Sequence, residues 1–316
     1  MKPRGTQRRT REHRDWLELI DRDGPFIAIP AIKRVWPQGM PQLGANAKAA
    51  LRDAKPNFDR AWDDWNQALA DDDAALETYR GARNKWIDAV LRDVARWEAH
   101  LVWDDEELGG NRVQGPSGNR MIGDKASGRF VREGVMAALL MVFDPVDSLR
   151  DPLDDAWTAS PIDRMDALLR ESEQKFGVVT DGRWWAIVCA QDGVMTASGI
   201  VDAQTWIEES DVRDAFLELI SPQRLAGGRE SDRLPQLFRE SITAAEDVTL
   251  ALGTQVRRAV ELLVTAFSEG ASEARDAGRP DPLLADRVLV YEGAVTAMMR
   301  VVFLLFAEER SMMPQP

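Results

Sequence analysis

The sequence predicts a helix-rich α+β chain with a small mixed sheet, on three observations. From Ala45 to Val102 the apolar side chains Trp62, Trp65, Leu69, Leu76, Trp86, Val90, Leu91, Val94 and Trp97 return by threes and fours, the period of helices that bury one face. Leu234 to Gly270 repeats that period through Val248, Leu252, Val256, Val260, Leu263, Val264 and Phe267. Between these stretches, the apolar run Val178 to Val188 is broken only around Asp181-Gly182, the punctuation of a strand, a turn and a second strand.

In chain order, Lys2, Arg4, Arg8, Arg9, Arg11 and Arg14 make residues 1–14 a basic arm, a composition that either frays in solvent or lies on phosphate. A short helix follows over Glu12 to Asp21 and stops at the turn Asp23-Gly24-Pro25. Residues 26–39 are apolar, but Pro30 and Pro37 exclude a central strand, leaving an ordered crossing or a short helix started by Pro30. The helical stretch from Ala45 is split into two helices by Asp71-Asp72-Asp73. Its tryptophans read as core, although the same stripe beside Arg60, Arg83 and Arg92 has the chemistry to stack a base.

At Asp104 the character changes, and a stretch rich in Gly, Ser and Asn reads as a loop as far as Gly128. Gly134 to Phe143 has the continuous apolar composition of a buried strand, a helix of equal length being the competing reading. Ser160-Pro161 opens a helix over Ile162 to Lys175 that glycine stops at Gly177. The remainder is helical: Asp211 to Ile220, the long stretch from Leu234, and Asp286 to Arg310 after the Gly- and Pro-rich break Asp276 to Pro282. Three regions are expected, residues 1–103, 104–222 and 223–316.

The 316 residues are 44% hydrophobic and 29% charged, enough to bury a substantial core. A net charge of -13 argues against a surface that is basic all over, so any nucleic-acid contact must come from a local patch such as the arm. The single cysteine, Cys189, lies in an apolar run and reads as a small buried hydrophobe in a reducing, cytoplasmic setting. The apolar stretch from Ala294 is interrupted by Arg300, and its uninterrupted part falls short of the ~20 residues of a spanning helix. A buried helix, and no membrane partner, is expected there.

Three further stretches carry a resemblance. Trp16 to Ile20 with Gly24-Pro25-Phe26, Pro30 and Val35 to Gly39, then Phe176 to Trp185, then Met299 to Pro314 resemble, in that order, the N-terminal regions of class I SAM-dependent adenine DNA methyltransferases. The group is the type IIG enzymes, with the methylases of the DISARM and BREX phage-defence systems. The resemblance implies a parent protein that methylates adenine N6 with S-adenosylmethionine, marking host DNA. Double-stranded DNA, a C-terminal methyltransferase domain and other defence-system subunits are the implied partners. This stretch itself has no glycine-rich SAM turn and no (N/D)PP(Y/F) loop, so no cofactor is expected on these residues. In the resembled family those motifs follow the Phe306-Ala307-Glu308 helix, so the resemblance implies that this sequence is the front of a larger protein.

The hairpin also suggests a restriction-endonuclease-like fold, whose active members hold Mg²⁺ between an Asp and the Glu of an E-x-K on adjacent strand ends. The one E-x-K, Glu173-Gln174-Lys175, falls at the end of a predicted helix, and the expected strand, Leu139 to Asp144, lacks both Glu and Lys. The domain therefore reads as degenerate and without catalytic residues. Asp104 to Glu107 reads as a solvated turn rather than a metal site. His13 and His100 have no ligand partners at zinc spacing, and no nucleophile elbow supports a Ser-His-Asp triad. Arg8, Arg9 and Arg11 are the expected DNA contacts, with Arg183 and Trp184 at the hairpin as a second set that would position phosphate rather than read bases. A Mg²⁺-dependent nuclease and a stand-alone protein-interaction module are the alternatives.

Overall fold

A computed structural model describes residues 13–68, 72–103, 112–115, 122–280, 283 and 287–309, and divides the chain into two compact units, residues 1–244 and 245–316. In the first unit, residues 13–18 are helical and lead to the strand β1, Asp21–Asp23. Helix α1, Ile29–Val35, carries Pro30 in its first turn, where a missing amide costs nothing. Helices α2, Ala45–Gln67, and α3, Asp73–Ala89, pack on each other. They are separated where Asp72 caps α3 by accepting from the amides of Ala74 and Ala75. The end of α3 widens into a π-helical turn over Val90–Val94, closed by the Ala95 amide on the Val90 carbonyl at 2.8 Å.

The strands are β2, Leu101–Trp103; β3, Arg112–Gly115; β4, Ile122–Lys125; β5, Gly128–Arg132; β6, Val135–Val142; β7, Phe176–Thr180; β8, Trp184–Cys189; and β9, Ala197–Asp202. Among the described residues β3 and β4 form a hairpin, and the other seven form one mixed sheet in the order β1-β9-β8-β7-β6-β5-β2. Every neighbouring pair in that sheet is antiparallel except β6 and β7. Those two run parallel because helix α4, Pro161–Glu171, returns the chain between them. Ser160 opens α4 with a reciprocal capping box to Asp163.

Alternate side chains serve the two faces of the sheet, as the pleat requires. Ala138, Leu140, Phe176, Val178, Trp185 and Ile187 join one core with α2, α3, helix α5 (Ser210–Leu219) and the start of helix α6 (Leu234–Asp276). Leu139, Met141, Val179, Ala186 and Val188 join a second core with Ile162, Met165, Leu168 and Leu169 of α4. β7, β8 and the inner part of β6 are buried on both sides, which is why they read as unbroken apolar runs. Gly177 permits the close approach of α4, since a Cβ there would lie 2.2 Å from the Met165 sulfur.

The expected α+β class holds, with corrections. The stretch read as a loop to Gly128 contains β3 and β4, and β1, β5 and β9 carry no sequence signal strong enough to have been expected. Strands from residues 21–23 and 101–103 belong to the same sheet as residues 128–202. His13 is buried rather than part of a solvated arm: its Nδ1 accepts from the Trp16 indole at 3.4 Å, which leaves Nε2 to donate to the Trp36 carbonyl at 2.9 Å. Cys189 is buried as expected, and burial pushes its thiol up to about 12.

The second unit holds the rest of α6 and helix α7, Arg287–Glu309. Its described buried residues are mostly small, Ala271, Ala274, Ala294 and Ala307 with Val260, while Leu250, Leu262, Val288, Phe303 and Leu305 are exposed. The final helix is therefore not the buried element the sequence predicted. By length and composition its segment Val288–Leu305 is apolar enough to cross a membrane, with a mean hydropathy of 1.8, despite Glu292 and Arg300 within it.

Candidate functional site

The polar groups of the first unit converge where the parallel strands β6 and β7 end. Open sheets commonly bind ligands at the carboxyl ends of parallel strands, because the connections leave on opposite sides there. Asp144 follows β6 and Asp181 follows β7, and the Phe143 amide still bonds the Thr180 carbonyl at 2.9 Å, so the two acids stand on neighbouring strand ends.

Their environments differ. Arg80 on α3 grips Asp144 through Nε at 2.8 Å and Nη2 at 2.6 Å, and Arg83 one turn later adds a contact at 3.2 Å. The Arg80 hydrogen bonds hold the Asp144 carboxyl below its usual range and hold the Arg80 guanidinium above its own. Asp181 is fully buried and, among the described residues, has no cationic partner in hydrogen-bond contact. Instead it accepts from the backbone amides of Trp184 at 2.7 Å, Arg183 at 2.9 Å and Val146 at 3.2 Å. Desolvation pushes its carboxyl up to about 6, the amides offsetting part of the effect. Its role is an Asx-type clamp that shapes the hairpin loop.

That loop has four residues, 181–184, between the paired Thr180 and Trp185, wider than a two-residue Asp-Gly turn. Gly182 sits at φ +100, and its carbonyl accepts the indole N–H of both Trp86 and Trp185, at 2.9 and 3.0 Å. The Tyr79 hydroxyl donates to the Asp181 carbonyl at 2.7 Å, and burial raises its pKa. A loop fixed at so many points is a rigid platform.

Arg183 and Trp184, the second expected DNA-contact set, are brought together on this platform. The Arg183 guanidinium lies over the Trp184 ring at 4.4 Å and over Trp62 of α2 at 5.2 Å. Its Nε and Nη2 donate to Asp202 at the end of β9, at 3.1 and 3.0 Å, while Nη1 makes no hydrogen bond among the described residues. The indole N–H of Trp184 is buried without an acceptor. Arg8, Arg9 and Arg11, the first expected set, lie outside the described residues, as does the acidic run Asp104 to Glu107.

The residues sequence reasoning missed are Arg80, Trp62 and Asp202. Each is far away in the chain from the group it partners, so no local spacing marks it. The tryptophans Trp62, Trp86 and Trp97 are buried core residues, and Arg83, beside them, is only 8% exposed at its side chain. The E-x-K lies at the other end of the sheet: Lys175 precedes β7 and pairs with Asp192 at 2.6 Å. Six residue steps along β7 separate it from Asp181 by roughly 20 Å. His100 bonds the Val131 carbonyl at 3.2 Å and packs on Phe130, a structural setting. Among the described residues no group of three or more His, Cys, Asp or Glu is placed to hold a metal ion.

Chemically, the site holds its acids in ion pairs or in backbone amide clamps. What it offers outward is one guanidinium, oriented by two indoles and a carboxylate. The chain matches no protein-family model, no curated protein and no solved structure.

Proposed function

We propose that this chain is a non-catalytic DNA-binding and scaffolding portion of an adenine-N6 DNA methyltransferase from a restriction-modification or phage-defence system. The observation that carries the DNA-contact part is Arg183, clamped by Trp62, Trp184 and Asp202 with Nη1 unbonded among the described residues. A pre-oriented arginine of this kind suits a phosphate oxygen, because its fork geometry is fixed before binding. The methyltransferase part rests on the sequence resemblance, as do S-adenosylmethionine as the parent enzyme's cofactor and Arg8, Arg9 and Arg11 as further phosphate contacts.

The absence of chemistry is supported by Asp144. In a restriction-endonuclease-like sheet an acid at a strand end serves a metal, but here Arg80 and Arg83 occupy it. The mixed sheet, with its one parallel pair joined through α4, suits a degenerate member of that fold. Fluorescence anisotropy with labelled duplex DNA tests the reading. Binding that weakens in Arg183→Ala, and weakens further without residues 1–14, supports it; binding indifferent to both changes removes it.

A second reading, a protein-interaction module, is favoured by the apolar side chains exposed on α6 and α7, among them Leu250, Leu262, Phe303 and Leu305. Exposed apolar surface of this extent marks an interaction site in soluble proteins. In the first reading the same surface is the scaffold on which the methyltransferase domain docks.

A further inference from the structure

A cavity of about 310 Å³ opens on the first unit between α2 and the segment joining β9 to α5. That volume is at the lower end of the range for small-ligand pockets, the size of a mononucleotide rather than a polymer. On α2, Lys48, Arg52 and Lys55 are spaced four and three residues apart, so helical geometry puts their charges on one face. Like charges at these spacings repel, and among the described residues the one acid on the wall is Asp59, which Lys55 already engages at 2.6 and 2.8 Å. Lys48 and Arg52 have no partner among the described residues.

Arg213 on α5 closes the opposite wall, held by Asp214 at 2.7 Å and by the Trp206 carbonyl at 2.8 Å. These bonds leave two of its five N–H groups unused. Four cations against one lining acid make a site for a dianion rather than for a single carboxylate.

The remaining lining is apolar and points to what the dianion is attached to. Leu51 and Pro56 lie on the α2 side, and Ile207, 69% exposed, stands on the other. An isoleucine so exposed at a cationic pocket gains by covering a ring. The Arg52 guanidinium provides a second flat surface for stacking. Two polar groups await partners. Trp206 contributes to the lining at 1% exposure, and its indole N–H has no acceptor. Pro56, in mid-helix, removes the amide that would have bonded the Arg52 carbonyl, freeing an acceptor for a hydroxyl or amine.

We propose that this pocket binds a nucleoside monophosphate, its phosphate held by Lys48, Arg52 and Arg213 and its base against Ile207 and Pro56. The proposal does not rest on the duplex-DNA reading. The same chemistry is presented by a free nucleotide and by the 5′-phosphate end of a DNA strand.

Isothermal titration of the full chain with adenosine 5′-monophosphate tests it, with adenosine and inorganic phosphate as partial ligands. The expected result is binding of the monophosphate that falls about tenfold or more in Lys48→Gln/Arg52→Gln, since each charged contact contributes on that scale. Both residues are exposed, so the variant folds, and Arg60→Gln, an exposed cation elsewhere on α2, leaves binding unchanged. Adenosine and phosphate alone bind at least about tenfold more weakly than the monophosphate. Competition by a 5′-phosphorylated oligonucleotide, but not by its 5′-hydroxyl counterpart, assigns the site to strand ends; no competition assigns it to free nucleotide. Absence of monophosphate binding, equal binding by the double variant, or phosphate alone binding as tightly would overturn the proposal.

Discussion

Arg80 and Asp144 form a two-point ion pair, with Nε and Nη2 reaching the two carboxylate oxygens at 2.8 and 2.6 Å. The pair closes the end of β6 against α3. Removing the carboxylate by Asp144→Ala also strips a contact from Arg83, which keeps only the Phe143 carbonyl and Asn84. Because Asp144 and Arg80 are partly exposed, the expected cost is about 1–2 kcal/mol rather than that of a buried pair. Urea unfolding of the two proteins measures it. A stability unchanged by the substitution would mean the pair is not structural.

Asp181 gives a pH dependence of defined sign. Its folded-state carboxyl is pushed up to about 6 from 3.8, so the folded chain holds a proton that the unfolded chain has released. Stability from this group is full below the unfolded value and falls as pH rises from about 4 to about 6, by about 2–3 kcal/mol. Asp181→Asn carries no such proton. The stability difference between wild type and Asp181→Asn should therefore move against wild type across that interval in denaturant titrations at pH 4 and pH 7. A constant difference would show an ordinary carboxylate.

Gly182 tests the rigidity of the platform. At φ +100, a Cβ would meet Phe58 and the Arg83 stem at 2.8 Å, so Gly182→Ala combines backbone strain with overpacking. A loss of about 1–3 kcal/mol is expected, along with weaker DNA binding as Arg183 loses its orientation. Thermal unfolding followed by anisotropy on the same samples checks both.

Arg183→Ala separates phosphate contact from base reading. If Nη1 engages phosphate, the variant binds all duplex sequences more weakly by a similar factor, and the slope of log affinity against log salt falls by about 1. Anisotropy titrations at several salt concentrations on two unrelated duplexes measure it. A loss confined to one sequence would indicate base contact instead.

Much of the sheet's centre was legible in the sequence, and little of its edges. β7, β8 and the inner part of β6 are buried on both faces, so their composition is continuously apolar, and Asp181-Gly182 marks the turn between two of them. Ser160-Pro161 announces α4 because a cap and a first-turn proline are local devices. β1 is Asp-Arg-Asp, a short polar edge that only its pairing with β9 defines. β9 hides in small residues because Gly199 lies against Phe26, leaving no space for the bulky side chains that signal a strand. β5 begins in a Gly- and Ser-rich stretch that reads as loop. Of the site, Arg183 and Trp184 were legible from the hairpin motif. Trp62, Arg80 and Asp202 were not, since tertiary packing alone brings them there.

The apolar composition of α7 made it look like a core helix, yet its large side chains are exposed and its buried ones are alanines. Apolar residues surround this helix instead of forming one stripe, so periodicity could not say which face is covered. In the docking reading it binds protein rather than lipid. The chain should therefore stay in solution when mixed with neutral phospholipid vesicles and floated on a density gradient; co-flotation would assign α7 to a membrane.

The central claim, a module that holds DNA without cutting it, is tested most directly by incubating the chain with supercoiled plasmid and Mg²⁺ and resolving the products by gel before and after removing the protein. The account predicts retardation that is lost with Arg183→Ala together with deletion of residues 1–14, and plasmid recovered fully supercoiled. Nicked or linear plasmid formed by the wild-type chain and not by Asp144→Ala would contradict it.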